Sequence, residues 1–226
     1  MQSSYMNPNW AEENLQTIRT LMERSALYRH ALAPIMTTVG IIGFFAAVFG
    51  RLFKIMSPTS FVTYWFVVAA IALTASFLMA RRQTLQDAEP FWSPPTRRIA
   101  QALFPPLLAG FVLGGLVMVV DHLPTESDPP TGEWPASWMF VTLLVPMWII
   151  LYGCAVHSAG FFISSGMRLF GLILLILGCC SFLFTNNLSS QGLVNFAYIA
   201  MGSVFGLLHL LCGTYLAATE NGKNAA

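Results

Sequence analysis

The chain has 226 residues, of which 56% are hydrophobic and only 9% charged, and its 11 Lys and Arg against 10 Asp and Glu leave a net charge of +1. Soluble domains carry charge on about a quarter of their residues, so an ordinary water-soluble globule is excluded. The near-neutral balance also argues against a nucleic-acid partner, which calls for a basic surface.

Residues 1–30 come first. Asn9 is placed to cap a helix, and Glu12, three residues on, can reach back to it. Leu15, Ile18, Met22 and Ala26 recur at three- and four-residue spacing, while Glu13, Arg19, Glu23 and Arg24 fill much of the rest. This pattern predicts an amphipathic helix that lies on the headgroups or docks on a partner. No basic stretch leads into a short apolar core, so the segment is not read as a cleaved signal peptide. Neither end fits a myristoylation or prenylation motif.

Six apolar stretches follow, at 31–50, 61–80, 99–120, 137–160, 169–186 and 193–217, and no Lys, Arg, Asp or Glu falls inside them. Runs of about 20 apolar residues match a hydrocarbon core of roughly 30 Å at 1.5 Å per helical residue. Barrel strands would be about half as long and would alternate polar with apolar. The fold class expected is therefore all-α: a polytopic membrane protein with six transmembrane helices over 31–217, an N-terminal amphipathic helix and a short tail, 218–226. A charge-free interior also lacks the ionisable side chain that pumps, ion-coupled carriers and voltage sensors use at bilayer depth.

Basic residues set the orientation, because they stay on the cytoplasmic side of short loops. With the N-terminus inside, Arg19, Arg24, Arg29, Arg81, Arg82, Arg97, Arg98, Arg168 and Lys223 are cytoplasmic, and only Arg51 and Lys54 are outside. The expectation is N-in and C-in. The loop from Asp121 to Pro135, with Glu126, Asp128, Glu133 and four prolines, then becomes an extended acidic external connection.

Between spans two and three, Arg81-Arg82 and Arg97-Arg98 bracket Asp87 and Glu89, with Trp92 suited to the headgroup boundary and Pro94-Pro95 leading into the next helix. Anchoring accounts for this loop. Its functional reading is an anionic lipid headgroup or phosphate held by Arg81, Arg82, Arg97 and Arg98. Inside the spans, Gly110-x-x-x-Gly114, Gly202-x-x-x-Gly206 and Gly43-x-x-x-Ala47 predict close helix contact, within one chain or between copies. Pro146 frees the carbonyl of Thr142 and predicts a kink. No internal repeat supports the inverted symmetry of many carriers.

Intramembrane chemistry would rest on Cys154-x-x-His157 in span four and His209-x-x-Cys212 in span six, each pair on one helix face. At 1.5 Å per residue His157 lies about 5 Å and His209 about 12 Å from the inner end. Cys154, His157, His209 and Cys212 are the donor set of a tetrahedral zinc or related soft-metal site, and His157 with His209 could ligate haem iron. The simpler reading is small buried cysteines and hydrogen-bonded histidines, with no cofactor. Cys179-Cys180 lies deeper and is read as packing; no disulfide framework of exported loops exists. An intramembrane serine protease would need Gly before its nucleophile, which Ser164-Ser165-Gly166 lacks although His209 is present. No P-loop, His-Glu-x-x-His or Rossmann glycine pattern occurs.

Three segments are familiar together: Glu13-Asn14-Leu15 through Arg29 into Ala31-Leu32-Ala33-Pro34-Ile35-Met36, Glu89-Pro90-Phe91-Trp92-Ser93-Pro94-Pro95-Thr96-Arg97-Arg98, and His157-Ser158-Ala159-Gly160-Phe161-Phe162 with Gly166-Met167-Arg168-Leu169-Phe170-Gly171. Together they resemble an uncharacterised group of small bacterial six-helix integral membrane proteins. The resemblance implies a bacterial inner membrane and carries over no activity and no site. The functional expectation is a non-catalytic scaffold or a lipid- or partner-binding subunit. Its partners would be membrane lipids, a second copy, or a membrane or cytosolic protein. The alternatives are a small permease or permease subunit for an uncharged or lipid-like substrate and a haem- or metal-binding membrane redox protein using the Cys/His pairs of spans four and six.

Overall fold

In hydrocarbon every backbone N–H and C=O has to be satisfied within its own segment, so long apolar stretches fold as helices. The computed structural model describes residues 32–55, 57–86, 92–123, 136–185 and 190–224. Among them, six helical spans are long and apolar enough to cross a membrane, which makes this an all-helical, multi-pass membrane protein. Helix α1 is Leu32–Leu52. It is followed by α2 (Pro58–Gln86), α3 (Pro94–Asp121), α4 (Ala136–Ile163) and α5 (Ser165–Ser181), the last closed by a 3-10 turn at Phe182–Phe184. The sixth span is α6 (Ser190–Met201), a π-helical stretch Gly202–Leu208 and α7 (His209–Asn224). The amphipathic helix expected within 1–30, the Asp87 and Glu89 positions and residues 124–135 lie outside the described residues.

Helices overrun the apolar stretches. Helix α2 extends to Gln86 and α3 starts at Pro94, so Arg81, Arg82, Arg97 and Arg98 stand on helix ends and not in a loop. Asp121, expected in the external connection, is the last residue of α3. Its carboxylate accepts from the Thr59 hydroxyl at 2.6 Å and from the Thr59 backbone N–H at 3.3 Å. A carboxylate at the first turn of α2 satisfies N–H groups that have no partner within the helix and complements the helix dipole. At the same end Tyr198 donates to the Ile55 carbonyl at 2.9 Å, and the guanidinium of Arg51 donates to the Asn195 side chain. We call this the Asp121 end and the opposite one the arginine end.

Helix α4 is central: 56% of its most apolar window is buried, against 17% for α3. It forms an antiparallel hairpin with α5 through Ser164, whose hydroxyl accepts from the Met167 N–H at 3.3 Å and caps α5. The backbones touch at Gly153 and Gly171. A Cβ on Gly171 would lie 2.6 Å from His157 Cα, and one on Gly153 would lie 2.9 Å from the Gly171 oxygen. Gly160 and Gly178 continue the seam seven residues further along each helix, the spacing that keeps one face toward a partner. Helix α1 packs antiparallel to the sixth span. A Cβ on Gly43 would fall 2.6 Å from the Phe205 carbonyl carbon, and one on Gly206 would fall 2.8 Å from Phe44 Cα. The Gly202-x-x-x-Gly206 and Gly43-x-x-x-Ala47 pairs thus meet each other within one chain.

Gly110 and Gly114 act differently. They leave room for rings: Trp148 donates to the Gly110 carbonyl at 2.8 Å, and the Phe66 ring fills the space over Gly114. Pro146 is fully buried, and α4 remains helical through it. Helix α3 likewise runs through Pro105 and Pro106.

Candidate functional site

The histidines are held by the fold. His209 follows the π-helical stretch and is completely buried. Its Nδ1 lies 2.8 Å from the Val204 carbonyl, five residues back, and its Nε2 lies 2.8 Å from the Tyr152 hydroxyl. A carbonyl can only accept, so Nδ1 carries the proton and Nε2 accepts from the phenol; the ring is neutral with both nitrogens occupied. Phe205 stacks on the ring at 6.0 Å and Phe170 meets it edge-on at 5.2 Å. His157, half-buried, uses Nδ1–H to donate to the Arg168 carbonyl at 2.9 Å, which ties α4 to the first turn of α5.

No three His, Cys, Asp or Glu side chains are grouped to hold a metal ion among the described residues. The Cys154, His157, His209 and Cys212 set is therefore not brought together. Of the His157/His209 pair expected for haem, His209 has its Nε2 bonded to Tyr152 and His157 its Nδ1 bonded to the Arg168 carbonyl. Cys154 and Cys212 are half-buried, whereas Cys179 and Cys180 are exposed on α5 and not packed in the interior. Ser164 serves as a helix cap.

The four arginines belong to a different arrangement. The buried residues of α2 are Pro58, Phe61, Val62 and Trp65, all near its Asp121 end. Those within the α3 helix are Gly110, Gly114 and Val117, likewise in its Asp121-end half. Phe66 and Phe111 stack at 4.8 Å, and toward the arginine end the described residues of α2 beyond Trp65 and of α3 before Gly110 are half-buried or exposed, up to the buried Ser93 at the α3 cap. Arg81 and Arg82 near the end of α2, and Arg97 and Arg98 within the first five residues of α3, are exposed there.

Between these half-packed helices lies a cavity of about 360 Å³, walled by α1, α2, α3, α4 and the sixth span near mid-length. Its polar side chains have internal partners: Ser76 donates to the Ala72 carbonyl at 2.8 Å, Trp148 to Gly110, and Tyr152 to His209. The Trp65 indole N–H is buried without a partner. A wall of this kind offers hydrocarbon contact and almost no hydrogen bonds to a guest. Cavity and wall come from five spans, so no single stretch of sequence announced them.

Fold and cavity define a class, a polytopic helical membrane protein with an apolar cavity among five of its spans. No family model matches the chain, and no curated protein or solved structure matches it.

Proposed function

We propose that the protein is a non-catalytic scaffold of the bacterial inner membrane that engages lipid or a protein partner through its α2–α3 face, with both termini cytoplasmic. One observation carries the reading. The α1–sixth-span and α4–α5 contacts are closed by glycine seams and His209 is bonded on both nitrogens, while among the described residues none of α2 beyond Trp65 or of α3 before Gly110 is fully buried. Spans two and three thus present apolar surface bordered by cations, which suits contact with other membrane components. The orientation draws support from the charge count, nine basic residues against two.

The test is crosslinking in intact membranes followed by purification. Wild type should enrich a specific lipid or protein, and the Arg97→Gln/Arg98→Gln variant should enrich less. Recovery of the same background from both would sink the proposal.

A second reading, a permease for an uncharged or lipid-like substrate, draws on the cavity, on the prolines of α3 and α4, and on the π-helical break in the sixth span. Proteoliposomes that show neither uptake nor flipping across broad substrate pools would reject it.

A further inference from the structure

We infer that the α2–α3 cleft is a binding site for one anionic glycerophospholipid, with an acyl chain in the cavity and its phosphate headgroup against Arg81, Arg82, Arg97 and Arg98. This rests on the scaffold reading above and names what covers the face. Three observations argue for a lipid chain.

The cavity wall is apolar, and its polar groups, Trp65 aside, are bonded internally, so a polar solute would lose its water without recovering hydrogen bonds. The α2 side of the wall runs from Trp65 to Ser76, about 16 Å of helix. The wall thus lies roughly 8 to 24 Å from Arg81 along α2, so it starts in the leaflet of that residue and passes the middle of a roughly 30 Å core. Cations stand beyond the arginine end of the cavity. Arg81 is about 8 Å beyond Ser76 along α2, and Arg98 is about 12 Å beyond Pro106 along α3. All four arginines are exposed. A chain anchored by its headgroup at the arginines would therefore reach the cavity from its own leaflet.

Brominated lipids test this. In a background with Trp10, Trp92, Trp134 and Trp138 changed to Phe, the remaining indoles, Trp65 and Trp148, both line the cavity. The protein is reconstituted into phosphatidylcholine vesicles that contain a minor, equal fraction of either brominated phosphatidylglycerol or brominated phosphatidylcholine. The expected result is stronger quenching by phosphatidylglycerol. Arg→Gln changes at positions 81, 82, 97 and 98 should erode that preference by roughly fivefold each at most. Ala72→Phe, or Ala69→Phe should the first not fold, puts a ring into the cavity and should abolish the preferential quenching.

Equal quenching by both lipids in wild type, or a preference untouched by either class of variant, overturns the lipid site. Absence of quenching together with a crosslinked dimer across α2 assigns the cleft to a second copy; it overturns the lipid site and leaves the scaffold reading standing. If the membrane pull-down also recovers nothing specific, both fail.

Discussion

The Tyr152 hydroxyl donates to His209 Nε2 at 2.8 Å, and this bond joins the central helix α4 to the sixth span at the point where its π-helical stretch ends. The wider π turn gives the imidazole access to the Val204 carbonyl on one side, while Tyr152 completes it on the other. An intramembrane histidine of this kind is a structural pin. It is completely buried and bonded on both nitrogens.

Tyr152→Phe leaves Nε2 without a donor and should destabilise the protein in detergent by about 0.6–1.7 kcal/mol, the range for interhelical hydrogen bonds in membranes. Adding His209→Leu should cost less than the two single changes together, because an apolar pair leaves no orphaned group. Strictly additive losses in a double-mutant cycle of thermal unfolding would contradict the pairing.

The α4–α5 seam predicts a contrast between glycines. Gly171→Ala drives a methyl into the His157 backbone and should destabilise by roughly 1–3 kcal/mol. Gly115→Ala meets nothing within 4 Å and should be neutral, or stabilising by about 0.5–1 kcal/mol. Unfolding of the two variants side by side checks the seam directly.

Asp121 holds the start of α2 from the end of α3. Asp121→Ala should cost about 0.5–2 kcal/mol, as loss of a helix cap does. Faster hydrogen exchange should appear over residues 58–65 and be absent over α4. A uniform change across all spans would mean that Asp121 does not act locally.

Orientation is tested by labelling. In a background without Cys154, Cys179, Cys180 and Cys212, an impermeant maleimide added to intact cells should modify Lys54→Cys. It should reach Gln86→Cys only after the inner membrane is opened. The reverse pattern would invert the topology.

Much of the architecture was legible because length and apolar composition are one-dimensional properties: the sixth stretch, 193–217, lies inside a span of Gly192–Thr219. What needed tertiary knowledge was less visible. Asp121 read as a loop acid because nothing nearby in the chain showed that Thr59 would stand beside it. The Cys/His pairs suggested a ligand set because spacing places side chains on a helix face without saying what that face meets, which for His209 is Tyr152. The π turn was also unseen, since Gly202 and Gly206 are equally compatible with an ordinary helix. A further signal readable in the sequence is the seven-residue spacing of Gly153 with Gly160 and of Gly171 with Gly178, which marks the α4–α5 seam.

The central claim, that this is a scaffold covered by lipid at its arginine end, is tested most directly by native mass spectrometry of protein extracted gently from its own membrane. The account predicts wild type carrying a retained anionic phospholipid that the Arg81→Gln/Arg82→Gln/Arg97→Gln/Arg98→Gln variant has lost. Bare protein in both, or the same lipid retained equally by both, would contradict it.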